Sequence, residues 1–92
     1  MLYGIIVRTP FGRFNGKMDL EINDGKVSGM LSFMDFSSEF QGEGDIDGFS
    51  FSGSFDIPIG SLDYKAEASV KDDGVHGVAD TRLGKLEFAP ER

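Results

Sequence analysis

The chain lacks cysteine and tryptophan, and its 92 residues include only three prolines and one histidine. The absence of cysteine excludes a disulfide framework and thiolate chemistry, and it fits a reducing compartment. No apolar run approaches the roughly 20 residues that a membrane-spanning helix needs. The apolar run from Leu2 to Val7 is too short for a signal peptide, has no basic segment before it and no cleavage site after it. We therefore expect a cytoplasmic protein.

Positive charge is also scarce. Nine Lys and Arg residues face sixteen Asp and Glu residues, which gives a net charge of −7. Between Val27 and Tyr64 there is no Lys or Arg at all. An acidic surface repels phosphate backbones and anionic lipids. Neither nucleic acid nor a membrane is therefore expected as a partner.

Apolar and polar residues alternate over most of the chain. The segments Phe14–Ile22, Phe49–Ile57 and Leu62–Val70 each keep a period of two over nine residues. This period is typical of a strand that is buried on one face. No segment shows a helical stripe of apolar residues, and the thirteen glycines interrupt any long helix. The pattern predicts an all-β chain.

Turn signals separate the alternating segments. Asp24-Gly25, Asp47-Gly48 and Asp73-Gly74 are dipeptides typical of two-residue hairpin turns. A second type of turn ends in glycine and recurs as Thr9-Pro10-Phe11-Gly12, Ile57-Pro58-Ile59-Gly60 and Thr81-Arg82-Leu83-Gly84. We interpret these Pro and Gly residues as folding signals rather than as a binding loop. With a weaker turn at Met34–Ser38, seven turns make eight strands.

A spacing of 24 residues organises these elements. A similar tripeptide recurs at that interval, as Val27-Ser28-Gly29, Phe51-Ser52-Gly53 and Val75-His76-Gly77. Hairpin units accordingly start near residues 1, 25, 49 and 73. Pairing the first strand with the last removes both exposed sheet edges. The sequence thus predicts one domain over residues 1–92, an eight-stranded antiparallel up-and-down meander closed into a small barrel of four 24-residue hairpin repeats. Two packed sheets are the alternative.

The alternation also predicts which side chains point inward. These are Tyr3, Ile5, Val7, Phe14, Met18, Leu20, Ile22, Val27, Leu31, Phe33, Phe40, Ile46, Phe49, Phe51, Phe55, Ile57, Leu62, Tyr64, Val70, Val75, Leu86 and Phe88. An eight-stranded barrel is wide enough either to be filled by side chains or to hold one small ligand. The many aromatics favour filling, whereas interleaved Gly and Ala leave space. If a small apolar ligand binds, its candidate contacts are Phe14, Phe33, Phe40, Phe51, Phe55, Tyr64 and Phe88.

As a strand pattern, the chain resembles the lipocalin, fatty-acid-binding and avidin group of calycin-type barrels. The resemblance implies an up-and-down barrel with a ligand site inside. It does not extend to the motifs that bind the ligands of those families. The chain has no Trp for a lipocalin Gly-x-Trp motif or an avidin-like biotin site, no Arg-x-Tyr pair and no pair of lid helices. The repeated Thr-Pro-x-Gly turn is also similar to that of short uncharacterised bacterial proteins, which implies a fold but no activity.

Few residues suggest catalysis or metal binding. His76 is predicted to face outward, with Asp56 or Asp80 as its candidate carboxylate partner, but no nucleophile stands out beside it. The alternating polar side chains Glu39, Gln41, Glu43, Asp45 and Asp47 share one outer face, flanked by Ser50, Ser52 and Ser54. Same-face neighbours on a strand lie about 7 Å apart, too far to converge on one metal ion. We expect a solvated face, no cofactor, no metal and no enzyme activity.

Some apolar residues occupy positions predicted to face outward. Met30 and Met34 are placed on the same face of one strand, with Phe36 just beyond, and Ile6 and Val78 also break the polar pattern. A contiguous exposed apolar patch indicates an interface, so Met30, Met34 and Phe36 are the candidates for self-association. Two functions remain open. One is a non-enzymatic barrel that binds a small apolar ligand inside, and the other is a packed barrel that serves as an oligomerisation or protein-interaction module.

Overall fold

The computed structural model describes residues 1–57 and 60–91, which form eight antiparallel strands. The strands are β1 (Leu2–Thr9), β2 (Gly12–Asn23), β3 (Lys26–Phe33), β4 (Phe36–Asp45), β5 (Gly48–Ile57), β6 (Gly60–Lys71), β7 (Gly74–Thr81) and β8 (Gly84–Pro90). Each strand pairs with the next, and β1 pairs with β8 through Ile5–Arg8 and Glu87–Pro90. The predicted closed meander is confirmed.

The alternation places the core inside this barrel. The buried apolar side chains are Ile5, Val7, Met18, Leu20, Val27, Leu31, Phe40, Phe49, Phe51, Phe55, Tyr64, Ala66, Ala68, Val75, Ala79, Leu86 and Phe88. Tyr3, Ile22, Phe33, Leu62 and Val70 are partly buried and pack against them. The prediction for Ile46 was wrong, because this residue lies in the β4–β5 turn, where it is 45% exposed. The side chain of Ile57 lies outside the described part of the chain.

The hairpin turns follow two kinds of local chemistry. Asp24 and Gly25 occupy the β2–β3 turn with φ angles of 51° and 80°, as an Asp-Gly hairpin turn requires. The other two Asp-Gly turns lie one residue earlier than predicted. Gly48 and Gly74 are already paired in strands, with Asp45 and Lys71. The side chain of Asp45 explains one shift, since its Oδ1 accepts hydrogen bonds from the backbone N–H groups of Asp47 and Gly48.

Two turns of the second type have the same pattern of hydrogen bonds. The hydroxyl of Thr9 donates to the carbonyl of Gly12 and accepts from the N–H of Phe11, both at 3.0 Å. Thr81 repeats this arrangement, donating to the carbonyl of Gly84 at 2.8 Å and accepting from the N–H of Leu83 at 3.0 Å. The third such turn, at Ile57–Gly60, has its two central residues outside the described residues. These bonds hold the backbone of the residue at the third turn position, Phe11 or Leu83, in place.

Candidate functional site

The seven aromatic residues predicted to line the interior form one connected cluster. Phe51 is at its centre, with ring centroids 4.5 Å from Phe40, 6.2 Å from Tyr64 and 6.3 Å from Phe88. Further contacts join Tyr64 to Phe55, Phe55 to Phe33 and Phe33 to Phe14, at 5.3, 5.1 and 6.3 Å. These spacings are those of rings in direct contact. The rings therefore pack on one another along the barrel.

A pair of hydroxyl groups lies within this aromatic cluster. Ser38 is buried and alternates with Phe36 and Phe40 along β4. Its Oγ donates to the backbone carbonyl of Glu39 at 3.1 Å and lies 3.0 Å from the hydroxyl of Tyr64. Either hydroxyl of this pair can be the donor. Burial raises the pKa of Tyr64, and the hydrogen bond with Ser38 only partly opposes this.

We expect replacement of Tyr64 by Phe to weaken the alkaline destabilisation of the protein. Because the pKa of Tyr64 is raised in the folded protein, at alkaline pH the folded protein keeps the Tyr64 hydroxyl proton, whereas the unfolded chain loses it. The stability contributed by Tyr64 is complete below its ordinary pKa of 10.0 and is lost as the pH rises above it. Near neutral pH the variant loses about 1 kcal/mol with the hydrogen bond. Urea unfolding at neutral and alkaline pH checks this. If the free energies of unfolding of wild type and variant differ by the same amount at the two pH values, the prediction is contradicted.

His76 faces outward, as predicted, but its partner is a different carboxylate. Its Nε2 lies 2.9 Å from Oδ1 of Asp73, three residues earlier in the β6–β7 turn, and both side chains are exposed. Neither Asp56 nor Asp80, the predicted partners, forms this contact. Ser69 is the cross-strand neighbour of His76, and no hydrogen bond joins the two. Among the described residues, no cluster of His, Asp and Glu is arranged to hold a metal ion.

The acidic outer face borders an open groove of about 820 Å³ on the barrel surface, across β4 to β8. Glu43, Asp47, Glu67 and Glu87 line it, together with His76. Glu39, Gln41, Glu43 and Asp45 face outward as predicted, whereas Asp47 belongs to the turn. No Lys or Arg borders this groove within the described residues. Its carboxylates are open to solvent.

The three predicted interface residues do not form one patch. Met30 is exposed on the outer face of β3, between the cross-strand neighbours Asp19 and Glu39. Met34 lies in the β3–β4 turn with a φ of 55°. Phe36 points inward and packs partly buried against the core, with its ring 6.1 Å from that of Phe33. The prediction that Met30 and Met34 share one face of a strand, with Phe36 outward just beyond, was wrong, because the turn falls at Met34-Asp35 and reverses the chain there.

One end of the barrel, however, presents apolar side chains at its turns. We call it the apolar end, and define it by the exposed tips Phe11, Met34 and Leu83, in the β1–β2, β3–β4 and β7–β8 turns. Phe11 is 78% exposed and Met34 63%. Behind the tips, the partly buried Phe14, Phe33, Phe36 and Leu62 close this end of the core. At the opposite end, the described turns carry Asp24, Asp47, and Asp72 with Asp73.

Four cations surround two of these tips. We call Arg8, Arg13, Arg82 and Lys85 the basic corner. Pro10 Cγ lies 3.2 Å from the point where a β-carbon on Gly84 would stand, so the β1–β2 and β7–β8 turns are side by side. Arg8 and Arg13 are direct cross-strand neighbours, and like charges in that position destabilise a sheet. On its other side Arg8 lies opposite Glu87, and Lys85 lies opposite Asp80. Within the described chain, none of the four forms an ion pair.

The apolar end is the feature that sequence reasoning missed. Interpreting the recurring turns as folding signals explains Pro10 and Gly12 but gives no reason for Phe11. The signal was the third turn position, where an apolar residue stands in each of the glycine-terminated turns, as Phe11, Ile59 and Leu83. Turn geometry does not require a large apolar side chain at that place.

Comparison with known proteins finds no family model that matches the chain, no curated protein with significant sequence similarity and no solved structure with significant similarity. The predicted resemblance to lipocalin and avidin barrels is therefore still a prediction. In the part of the chain that the structure describes, no helix has the length and apolar character to cross a membrane.

Proposed function

We propose that this protein is a non-enzymatic interaction module that works through its outer surface rather than by carrying a ligand in its interior. The observation that carries the proposal is the continuous aromatic cluster inside the barrel. Phe40, Phe51 and Phe55 are at most 3% exposed, and their rings contact other rings rather than empty space. To bind among these rings, a ligand would have to push packed side chains apart. The protein would then lose the stabilising free energy of the ring contacts.

The outer surface gives a second argument for the proposal. Exposed apolar side chains are normally scattered over a monomer. Among the described residues eight large apolar side chains are exposed, and three of them, Phe11, Met34 and Leu83, share one end. Burying them in the barrel's own core is not an option, because the hydrogen bonds of Thr9 and Thr81 hold two of the turns in place. Grouped apolar side chains of this kind mark interaction sites.

Native mass spectrometry of the protein purified from its own host tests this proposal. We expect the mass of the bare polypeptide, alone or as an oligomer. A small molecule that stays bound to both the wild type and the Phe11→Ser variant would support the interior-carrier function and overturn the proposal. The proposal would be supported if no small molecule adds to the mass of the polypeptide and if a partner that binds the wild type is lost from the Phe11→Ser variant.

A further inference from the structure

We propose that the apolar end docks on the surface of a bilayer that contains anionic phospholipids, with the tips Phe11 and Leu83 in the headgroup region and the basic corner against the lipid phosphates. This inference rests on the proposed function, since it names the partner of the surface. Docking in this way uses only side chains that are already exposed in the folded barrel.

The tips combine two properties that suit the interface of a bilayer. Phe11 and Leu83 are 78% and 44% exposed on adjacent turns. Apolar side chains on a rigid, exposed support insert a few ångströms into the boundary between headgroups and acyl chains. Because the hydroxyls of Thr9 and Thr81 fix both turns, little conformational freedom is lost when the tips insert.

The cations lie where anionic headgroups would meet them. Arg8 and Arg13 flank the β1–β2 turn, and Arg82 and Lys85 lie in or beside the β7–β8 turn. Arg and Lys are attracted to the negative potential of anionic lipids within about a Debye length. Arg8 faces Arg13 on one side and Glu87 on the other, and a lipid phosphate near Arg13 would add a second anion to this group.

The distribution of charge orients the barrel on such a surface. The turns at the far end carry Asp24, Asp47 and Asp72, and so point away from the lipid. The apolar end also has carboxylates, Asp35 in the β3–β4 turn and Asp56 near the end of β5, and Asp80 and Glu87 lie opposite Lys85 and Arg8. The cations are therefore concentrated on the side of β8, β1 and β2, and the barrel should dock tilted toward that side.

This proposal departs from the expectation that net charge gives. A net charge of −7 spread evenly would repel an anionic bilayer. The structure instead separates the charges, and at physiological salt the field of the far end is screened beyond about 8 Å. The charge close to the lipid decides the attraction, and near the β1–β2 and β7–β8 tips the four cations outnumber the two neighbouring carboxylates, Asp80 and Glu87.

A second copy of the chain fits this end less well. A two-fold dimer through the apolar end would bring the basic corners of both copies together. The acidic end of another copy would match the charge, but its described turns offer only Ile46 as an exposed apolar residue. A bilayer supplies an apolar layer and anionic groups together.

Co-sedimentation with vesicles tests the proposal on the intact protein. The vesicles are phosphatidylcholine alone, or phosphatidylcholine and phosphatidylglycerol in a two-to-one ratio, at low salt. We expect binding to the phosphatidylglycerol vesicles only, and its loss on adding salt. Phe11→Ser with Leu83→Ser should weaken binding about tenfold. Arg13→Glu with Arg82→Glu should weaken it at least about twentyfold, since each cation near the surface contributes about fivefold.

Matched variants at the acidic end serve as controls. Ile46→Ser removes an exposed apolar turn residue there, and Lys26→Glu with Lys71→Glu makes the same charge change away from the basic corner. Both should bind like the wild type, and circular dichroism should show that every variant is folded. No sedimentation of the wild type, equal losses in the controls, or self-association through Phe11 in the absence of vesicles would overturn the proposal. If native mass spectrometry still shows the bare polypeptide, the surface function survives with a different partner.

Discussion

Replacing Gly42 with alanine is expected to destabilise the barrel strongly. Gly42 faces inward on β4 opposite Phe51, and a β-carbon there would collide with the backbone carbonyl of Ser50 on the neighbouring strand. The Cα of Phe51 lies 2.6 Å from the same point. Because backbone atoms of a paired strand cannot rotate away as a side chain can, β4 and β5 must separate. We expect a loss of at least about 3 kcal/mol, a large part of the total stability of a small domain.

Gly48→Ala is the matched control for this prediction. Gly48 begins β5 in the same hairpin, and a β-carbon there has no atom within 4 Å. This variant should stay within about 0.5 kcal/mol of the wild type. Both are measured by urea unfolding followed by circular dichroism. If Gly42→Ala unfolds at the same urea concentration as Gly48→Ala, then β4 and β5 are not as close as the structure places them.

Phe51→Ala is expected to give the second-largest loss, about 3–5 kcal/mol. The ring of Phe51 is 3% exposed and contacts the rings of Phe40, Phe49, Tyr64 and Phe88. Its removal leaves a cavity at the centre of the cluster that rigid neighbouring strands do not fill. The melting temperature should fall by roughly 12–40 °C, because each kcal/mol shifts a domain of this size by about 4–8 °C.

Phe11→Ala, which removes the same side chain from an exposed turn, is the control. It should change stability by no more than about 0.5 kcal/mol. A loss below about 1 kcal/mol for Phe51→Ala would mean that the interior already has free space. That result would favour the interior ligand site over a packed core.

The fold was predictable because two independent signals agree along the chain. Alternation assigns nearly every buried side chain, from Ile5 to Phe88, and the turn residues divide the alternating segments into hairpins. Closure follows from the need to avoid exposed sheet edges. Errors arose where two turn signals overlapped. In Asp45-Ile46-Asp47-Gly48, the Asp-Gly pair suggested one turn, and the capping carboxylate of Asp45 fixed another.

The site was less predictable, because it depends on what the barrel brings together. The aromatic cluster was correctly assembled from the parity of each strand. The contact between His76 and Asp73 depends on turn geometry instead, and the repeat alignment pointed to other carboxylates. The basic corner joins Arg8 and Arg13 to Arg82 and Lys85, from opposite ends of the chain. Only closure between β1 and β8 makes these four residues neighbours.

The most direct measurement of the central claim uses the absence of tryptophan from the chain. Phe11→Trp places a single indole at the apolar end, and Ile46→Trp places one at the acidic end. On addition of phosphatidylglycerol vesicles, we predict that the emission of the residue-11 variant shifts to shorter wavelength and becomes shielded from a soluble quencher. The residue-46 variant should show no change. An unchanged emission at residue 11, or equal shifts at both ends, would contradict docking through the apolar end.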